Sequence, residues 1–259
     1  MARPAVLILH ATGTNRDREA ARAVELAGGR PTVLHVHELR ARPAHLHDFA
    51  MLILPGGFSY GDALGAGRLL AADLRWLFQE ELARFVEDGK PVLGICNGFQ
   101  ALVKSGWLPG PPAAGVQATL TRNASNRFEC RWVWLEADPD SPCLFTRDLP
   151  GRLYCPVAHG EGRFVPRNEA VLETLRSRHL IALTYVGPAA GGPATYPDNP
   201  NGSVAGIAGL TNEQGNILGL MPHPEDHVRP WQHPRWTRGE SGGNGLALFE
   251  QGIRYAARM

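Results

Sequence analysis

Two short segments carry the residue types of nucleophilic catalysis. Gly94-Ile95-Cys96-Asn97-Gly98-Phe99-Gln100 sets a cysteine between glycines, where a short apolar run meets a helix-forming one. This is the pattern of a nucleophile elbow with sulfur in place of oxygen. The glycines let other backbone pack close to a sharp, strained turn. A thiol on such a turn lies at a helix N-terminus, whose dipole favours the thiolate. The following N–H, that of Asn97, is a candidate oxyanion donor. The second segment is Met221-Pro222-His223-Pro224-Glu225. Its prolines exclude regular helix, so His223 and Glu225 are expected on an extended stretch. Cys96 as nucleophile, His223 as base and Glu225 as the group that fixes the imidazole tautomer make a triad if each reaches the next.

Weaker signals surround these. Pro55-Gly56-Gly57 stops an apolar run, and paired glycines at a strand end can turn N–H groups toward a ligand. Gly57 is the candidate second oxyanion donor, although PGG taken alone reads better as a plain tight turn. His159-Gly160-Glu161-Gly162 either lines a pocket or is a structural turn. A free cysteine is ordinarily a small buried side chain, and that is the expectation for Cys130, Cys143 and Cys155. Among the histidines, His35/His37, His45/His47 and His223/His227/His233 lie close in sequence. None combines with cysteine or carboxylate in a zinc spacing, so no metal is expected.

The elements that must hold these groups alternate. Strands are expected at Val6–Leu9, Thr32–Val36, Met51–Leu54 and Val92–Ile95, and helices at Ala20–Leu26, Leu69–Val86 and from Phe99. The long helix rests on Leu70, Leu74, Leu77, Phe78, Leu82 and Phe85 at helical spacing. This order predicts an α/β fold, an open and mostly parallel sheet with helices on both faces, its ligands at the carboxyl ends of the strands. The second half is richer in strand: Arg131–Leu135, Leu153–Val157, Leu180–Val186, Val204–Leu210 and Ile217–Met221. A Pro/Gly/Asn-rich loop is expected at 188–202 and a last helix at Gly245–Ala257. No linker divides the chain, so residues 1–259 are expected to form one domain.

The chain has 259 residues, 44% hydrophobic and 20% charged, with a formal net charge of +1. Such a balance argues against nucleic acid or an anionic membrane as the main partner. No apolar run has the length of a membrane span, and Val6–Leu9 is too short for a signal-peptide core, so a cytoplasmic protein with reduced thiols is expected. The sequons at Asn123 and Asn201 then read as chance matches.

The nucleophile segment, the PGG turn and Pro222-His223-Pro224-Glu225 together resemble the class I (triad) glutamine amidotransferases, whose flavodoxin-like fold agrees with the alternation above. Within that superfamily, residues 56–62 (GGFSYGD), 13–19 (GTNRDRE), 126–132 (NRFECRW) and 156–162 (PVAHGEG) are similar to the glutaminase subunits of phosphoribosylformylglycinamidine synthase. Arg16 and Asp226 stand where many relatives carry Cys and Arg. The resemblance implies hydrolysis of glutamine at Cys96, His223 and Glu225, with Gly57 and Asn97 as oxyanion hole and Gly56, Gly98 and Gln100 binding substrate. It implies delivery of ammonia to a large synthetase subunit, with a small bridging subunit. It implies no cofactor in this chain, ATP and magnesium belonging to the synthetase, which fits the lack of a P-loop. Segments 13–19 and 126–132 are candidates for the docking surface. A triad glutaminase serving another synthetase, or a cysteine hydrolase of similar fold, is the alternative.

Overall fold

The computed structural model describes residues 3–188 and 194–259. Its strands are β1 (Ala5–His10), β2 (Arg30–His35), β3 (Met51–Leu54), β4 (Val92–Ile95), β5 (Ala118–Thr121), β6 (Glu129–Ala137), β7 (Leu153–His159), β8 (Arg163–Pro166), β9 (Leu183–Val186), β10 (Ile207–Thr211) and β11 (Ile217–Leu220). The α-helices are α1 (Asp17–Leu26), α2 (Val36–Ala41), α3 (Arg68–Trp76), α4 (Gln79–Glu87), α5 (Asn97–Ser105), α6 (Glu169–Ser177) and α7 (Leu246–Ala256).

Nine strands form one sheet in the order β2-β1-β3-β4-β11-β10-β9-β6-β7. The first five are parallel, and from β11 to β7 every pairing is antiparallel. The parallel part is the expected core, and the extra β structure of the second half continues the same sheet. Every residue of β3, β4, β10 and β11 is buried, which explains why these strands read as unbroken apolar runs rather than alternations. Met51 of β3 meets α7 near Gly252, while Leu54 of the same strand meets α5 at Gly98, so helices cover both faces. No helix among the described residues is long and apolar enough to cross a membrane.

Three differences from the sequence reading have local causes. The helix expected over Leu69–Val86 is two, α3 and α4, broken at Leu77-Phe78. Leu70, Leu74, Phe78, Leu82 and Phe85 stay buried across the break, so the apolar period runs on in phase and conceals it. The strand expected to end at Val36 ends at His35, whose side chain accepts from the His37 N–H and caps α2. The strand expected from Val204 starts at Ile207, after a short 3₁₀ turn over Val204–Gly206. The two-stranded sheet of β5 and β8 and the helix α6 were not anticipated. Part of the loop expected at 188–202 falls on 189–193, outside the described residues.

Register aligns the carboxyl ends that matter. Leu54 pairs with Gly94, Gly94 with Gly219, and Ile95 with Leu220. The turns after β3, β4 and β11 therefore emerge side by side at one edge.

Candidate active site

Cys96 sits between β4 and α5 at φ 48° and ψ −101°, a backbone conformation that L-residues rarely adopt. The strain is held by what packs around it. A Cβ on Gly98 would lie 2.0 Å from the Leu54 carbonyl oxygen, so only glycine lets α5 start this close to β3. Asn97 opens α5, and a first-turn N–H has no acceptor within its helix. The thiol is 5% exposed and its Sγ lies 4.0 Å from the Ala158 carbonyl oxygen of β7.

His223 follows β11 on non-helical backbone, but Glu225 is not on the extended stretch expected of it: Pro224 is tolerated at the first position of a helical turn, and Pro224–Asp226 form a single 3₁₀ turn. His223 Nδ1 is 2.6 Å from Glu225 Oε1, both residues are buried, and His223 Nε2 meets no hydrogen-bond partner among the described residues. The His223 N–H donates to the Pro156 carbonyl of β7 at 2.8 Å, tying the antiparallel end of the sheet to the histidine. Burial opposes the charge on His223. Glu225, and after it Cys96, outweigh burial and hold the imidazole well above its ordinary pKa. Cys96 and the imidazole flank one glycine, Gly56, and with the His223–Glu225 bond this sets the three side chains in one cluster.

Gly56 and Gly98, expected to bind substrate, have different surroundings. A Cβ on Gly56 would be 2.7 Å from His223 Cε1 and 3.4 Å from Cys96 Cβ, so Gly56 lets base and nucleophile approach one another. Gly98 faces the backbone of β3. Gly57, at φ +128°, lines the same cavity as Cys96. That cavity, of about 180 Å³, also takes in Gln100, Asp62, Phe58, Phe128, His159 and Glu161. A larger groove of about 370 Å³ beside Trp107 lies near the start of β11 and touches none of the triad.

Polar side chains form a chain along the cavity. Asn97 Nδ2 donates to Asp62 Oδ1 at 2.9 Å and to Gln100 Oε1 at 3.3 Å, and Gln100 Nε2 donates to the Glu161 carbonyl at 2.5 Å. Burial raises the Asp62 carboxyl despite its bond to Asn97. The sequence left His159 open between pocket and turn. It is buried against the cavity, its Nδ1 is 3.2 Å from Asn123 Oδ1, and its Nε2 is unpartnered among the described residues. Burial and then the neighbouring His223 push it down to about 3, so His159 is neutral. Asp62 was missed as a pocket residue; its place in GGFSYGD was the signal the sequence offered.

The other histidines weighed for metal have separate settings. His227 and His233 stack among Trp132 and Tyr154. Cys143 and Cys155 are buried as expected, but Cys130 is exposed. It stands on an outward position of β6, where the side chains alternate between faces.

The strained cysteine elbow, the buried histidine–carboxylate pair and a small cavity at the carboxyl ends of a parallel sheet bring together the groups that cysteine-dependent acyl transfer requires. The family model of the CobB/CobQ-like glutamine amidotransferase domain matches residues 3–256, and the chain belongs to that family. It is 52% identical over 271 residues to phosphoribosylformylglycinamidine synthase subunit PurQ of Treponema denticola, covering 98% of this chain and 99% of that one. Identity to the PurQ subunit of Dehalococcoides mccartyi is 46%, covering 100% of both chains. Among solved structures, a chain of PurLQS from Thermotoga maritima superposes with a TM-score of 0.73 at 32% identity, covering 98% of this chain and 99% of that one.

Proposed function

We propose that this chain is the glutaminase subunit of a phosphoribosylformylglycinamidine synthase. The observation that carries the reading is the 2.6 Å His223–Glu225 pair, its Nε2 without a partner among the described residues, with Gly56 packed against both the imidazole and the strained Cys96. Full-length identity to the PurQ relatives supports the choice of synthase over other triad glutaminases.

In this reading the Cys96 thiolate attacks the glutamine carboxamide carbon. The Gly57 and Asn97 N–H groups hold the oxyanion, each worth roughly two to three orders of magnitude in rate. His223, as imidazolium, protonates the leaving nitrogen, and ammonia departs to leave a glutamyl thioester. His223 then takes a proton from water, whose oxygen attacks the thioester and releases glutamate and the thiolate. Glu225 keeps the Nε2 of His223 directed at the sulfur. Gln100 lies at the cavity wall where it can bind glutamine. Residues 1–259 act as one domain, a reading supported by the nine-stranded sheet that draws on both halves of the chain.

The ammonia passes to a large synthetase subunit, which carries ATP and magnesium, with a small bridging subunit in the assembly; the likeness to the PurLQS chain supports this. Segments 13–19 and 126–132 are the proposed docking surface, and Phe128 within the second is exposed at the cavity mouth. The cytoplasm, where thiols stay reduced, is the proposed compartment.

The test is peptide mapping after treatment with a diazo-ketone analogue of glutamine, with and without excess glutamine. An adduct on Cys96 that glutamine suppresses is expected. If Cys96 stays unmodified even with the synthetase subunits present, the glutaminase reading is wrong. Modification that a peptide blocks and glutamine does not would point to the cysteine-hydrolase alternative.

A further inference from the structure

The loop between β1 and α1 touches both flanks of the nucleophile. On one side it is bound to the PGG turn: the Phe58 N–H donates to the Gly13 carbonyl at 3.2 Å, Thr14 bridges Gly57, and Thr14 Oγ1 lies 2.9 Å from Ser59 Oγ. On the other side Arg16 reaches the turn that carries the triad acid. One guanidinium nitrogen lies 3.0 and 2.9 Å from the two oxygens of Asp226, the residue after Glu225, at a position 210 residues away in sequence.

The charges around this contact are unbalanced without Arg16. Glu225, Asp226 and Glu19 converge on it, and Arg16 is within 3.9 Å of Glu19 as well. Glu225 Oε2 and Glu19 Oε2 are both buried without a partner among the described residues. Adjacent carboxylates repel, and in a half-buried setting each resists ionisation. An unpaired Asp226 would be driven out toward water and would carry the backbone of Glu225 with it.

Resting on the glutaminase reading above, we infer that Arg16 and Asp226 are positioning residues, an ion pair that fixes the Glu225 turn and joins the triad acid to the same loop that braces Gly57. Neither touches the reacting atoms. The loop thereby has a mechanical hold on the oxyanion donor and on the acid, so a partner bound to residues 13–19 would act on both at once. The pair is also sensitive to acid. Burial, then Glu225, push Asp226 up to about 6, while His223 and Arg16 lower it and Glu19 raises it. Below that pH Asp226 is protonated and the pair is lost; above it the pair is complete.

The test measures the rate of Cys96 modification by the diazo-ketone analogue, as a function of reagent concentration and pH, in the reconstituted assembly with its synthetase. The variants are Arg16→Met, Arg16→Lys, Asp226→Asn and the double Arg16→Met/Asp226→Asn. Each of the two neutralising variants is expected to lower the saturating rate about tenfold with half-saturation changed less than about twofold, the pattern of a misplaced catalytic group rather than lost binding. The double variant should be no slower than the slower single, because both remove the same interaction. Arg16→Lys, which keeps the charge, should recover most of the rate, and the wild-type rate should fall as pH drops through about 6, a step absent in Asp226→Asn. Neutralising variants within about twofold of wild type, losses that multiply in the double, or no recovery with lysine would overturn the inference. Wild-type Cys96 that remains unmodified would instead refute the glutaminase reading, and this inference with it.

Discussion

The parallel and antiparallel ends of the sheet treat the active site differently. The parallel end supplies Cys96, His223, Glu225 and Gly57, all on turns that leave the carboxyl ends of β3, β4 and β11. The antiparallel end supplies the opposite wall: Ala158 facing the thiol, His159, Glu161 and the Pro156 carbonyl that holds the His223 N–H. The groups proposed to react stand on strained or irregular backbone, with Cys96 at φ 48°, while the wall residues stand on or just beyond the regular strand β7. Parallel strands with both faces buried make a rigid edge against which unfavourable backbone angles can be maintained. The hairpin-like end has no such task and contributes cover and binding surface.

On this division, changes to the groups proposed to react at the parallel end cost rate, and changes at the wall do not. The largest effect is expected for Cys96→Ser. It should lower steady-state glutamine hydrolysis by at least about four orders of magnitude while leaving the thermal midpoint close to wild type, as removal of a nucleophile does elsewhere. A loss smaller than about a hundredfold would mean that the thiol is not the nucleophile. Next is Glu225→Gln, which keeps the volume but not the charge that holds His223 as imidazolium. A fall in kcat of about two to four orders of magnitude is expected, with KM little changed. The His223 pKa should fall, because the first of the two groups that raise it is gone; imidazole NMR titration reads this directly.

Two alanine substitutions sharpen the comparison within the parallel end itself. Gly56→Ala puts a methyl 2.7 Å from His223 Cε1, so the imidazole must shift. A displacement below an ångström at the base is expected to cost about a hundredfold in kcat. Gly98→Ala puts its methyl against the rigid Leu54 carbonyl at 2.0 Å, where nothing can yield cheaply. Its expected signature is lost stability, about 1–3 kcal/mol in urea unfolding, before any specific kinetic defect. If both variants showed the same balance of kinetic and stability loss, the assignment of Gly56 to the triad and Gly98 to packing would have to be abandoned.

The same division governs how far the sequence could be read. β3 and β4 were legible to the residue because an apolar run between Gly/Pro breakers has one interpretation in a doubly covered sheet. The elbow and the His-x-Glu segment were legible because their chemistry needs particular residue types at short spacing. What the sequence could not display depends on groups far apart along the chain. Gly56 looked like a ligand-binding glycine, since nothing local reveals that His223 packs on it from 167 positions downstream. Arg16 and Asp226 looked like incidental departures from the family pattern until the fold set them 2.9 Å apart. The break between α3 and α4 was invisible for the opposite reason, the local pattern being undisturbed by it.

The smallest effect on rate is expected at the wall, where His159 tests whether its role is structural. Burial, reinforced by His223, holds it at about 3 in the folded protein, against about 6.5 for an exposed imidazole. Between these values the unfolded chain binds a proton that the folded chain refuses. His159 therefore costs nothing above about pH 6.5 and destabilises progressively as pH falls toward 3, by about 1.4 kcal/mol per unit. Asp226 works in the opposite sense. Its folded value of about 6 lies above the unfolded 3.8, so acid stabilises it over part of the same range and wild type shows only the difference. Comparing wild type with His159→Asn isolates the histidine, because Asp226 is common to both. The gap in unfolding free energy should move in favour of the variant by about 2 kcal/mol between pH 6.5 and 5, measured by urea titration at each pH. A gap that does not change with pH would mean that His159 is charged in the folded protein. A cation beside His223 would then make the wall a participant in the chemistry, and the contrast between the two ends of the sheet would fail where they meet.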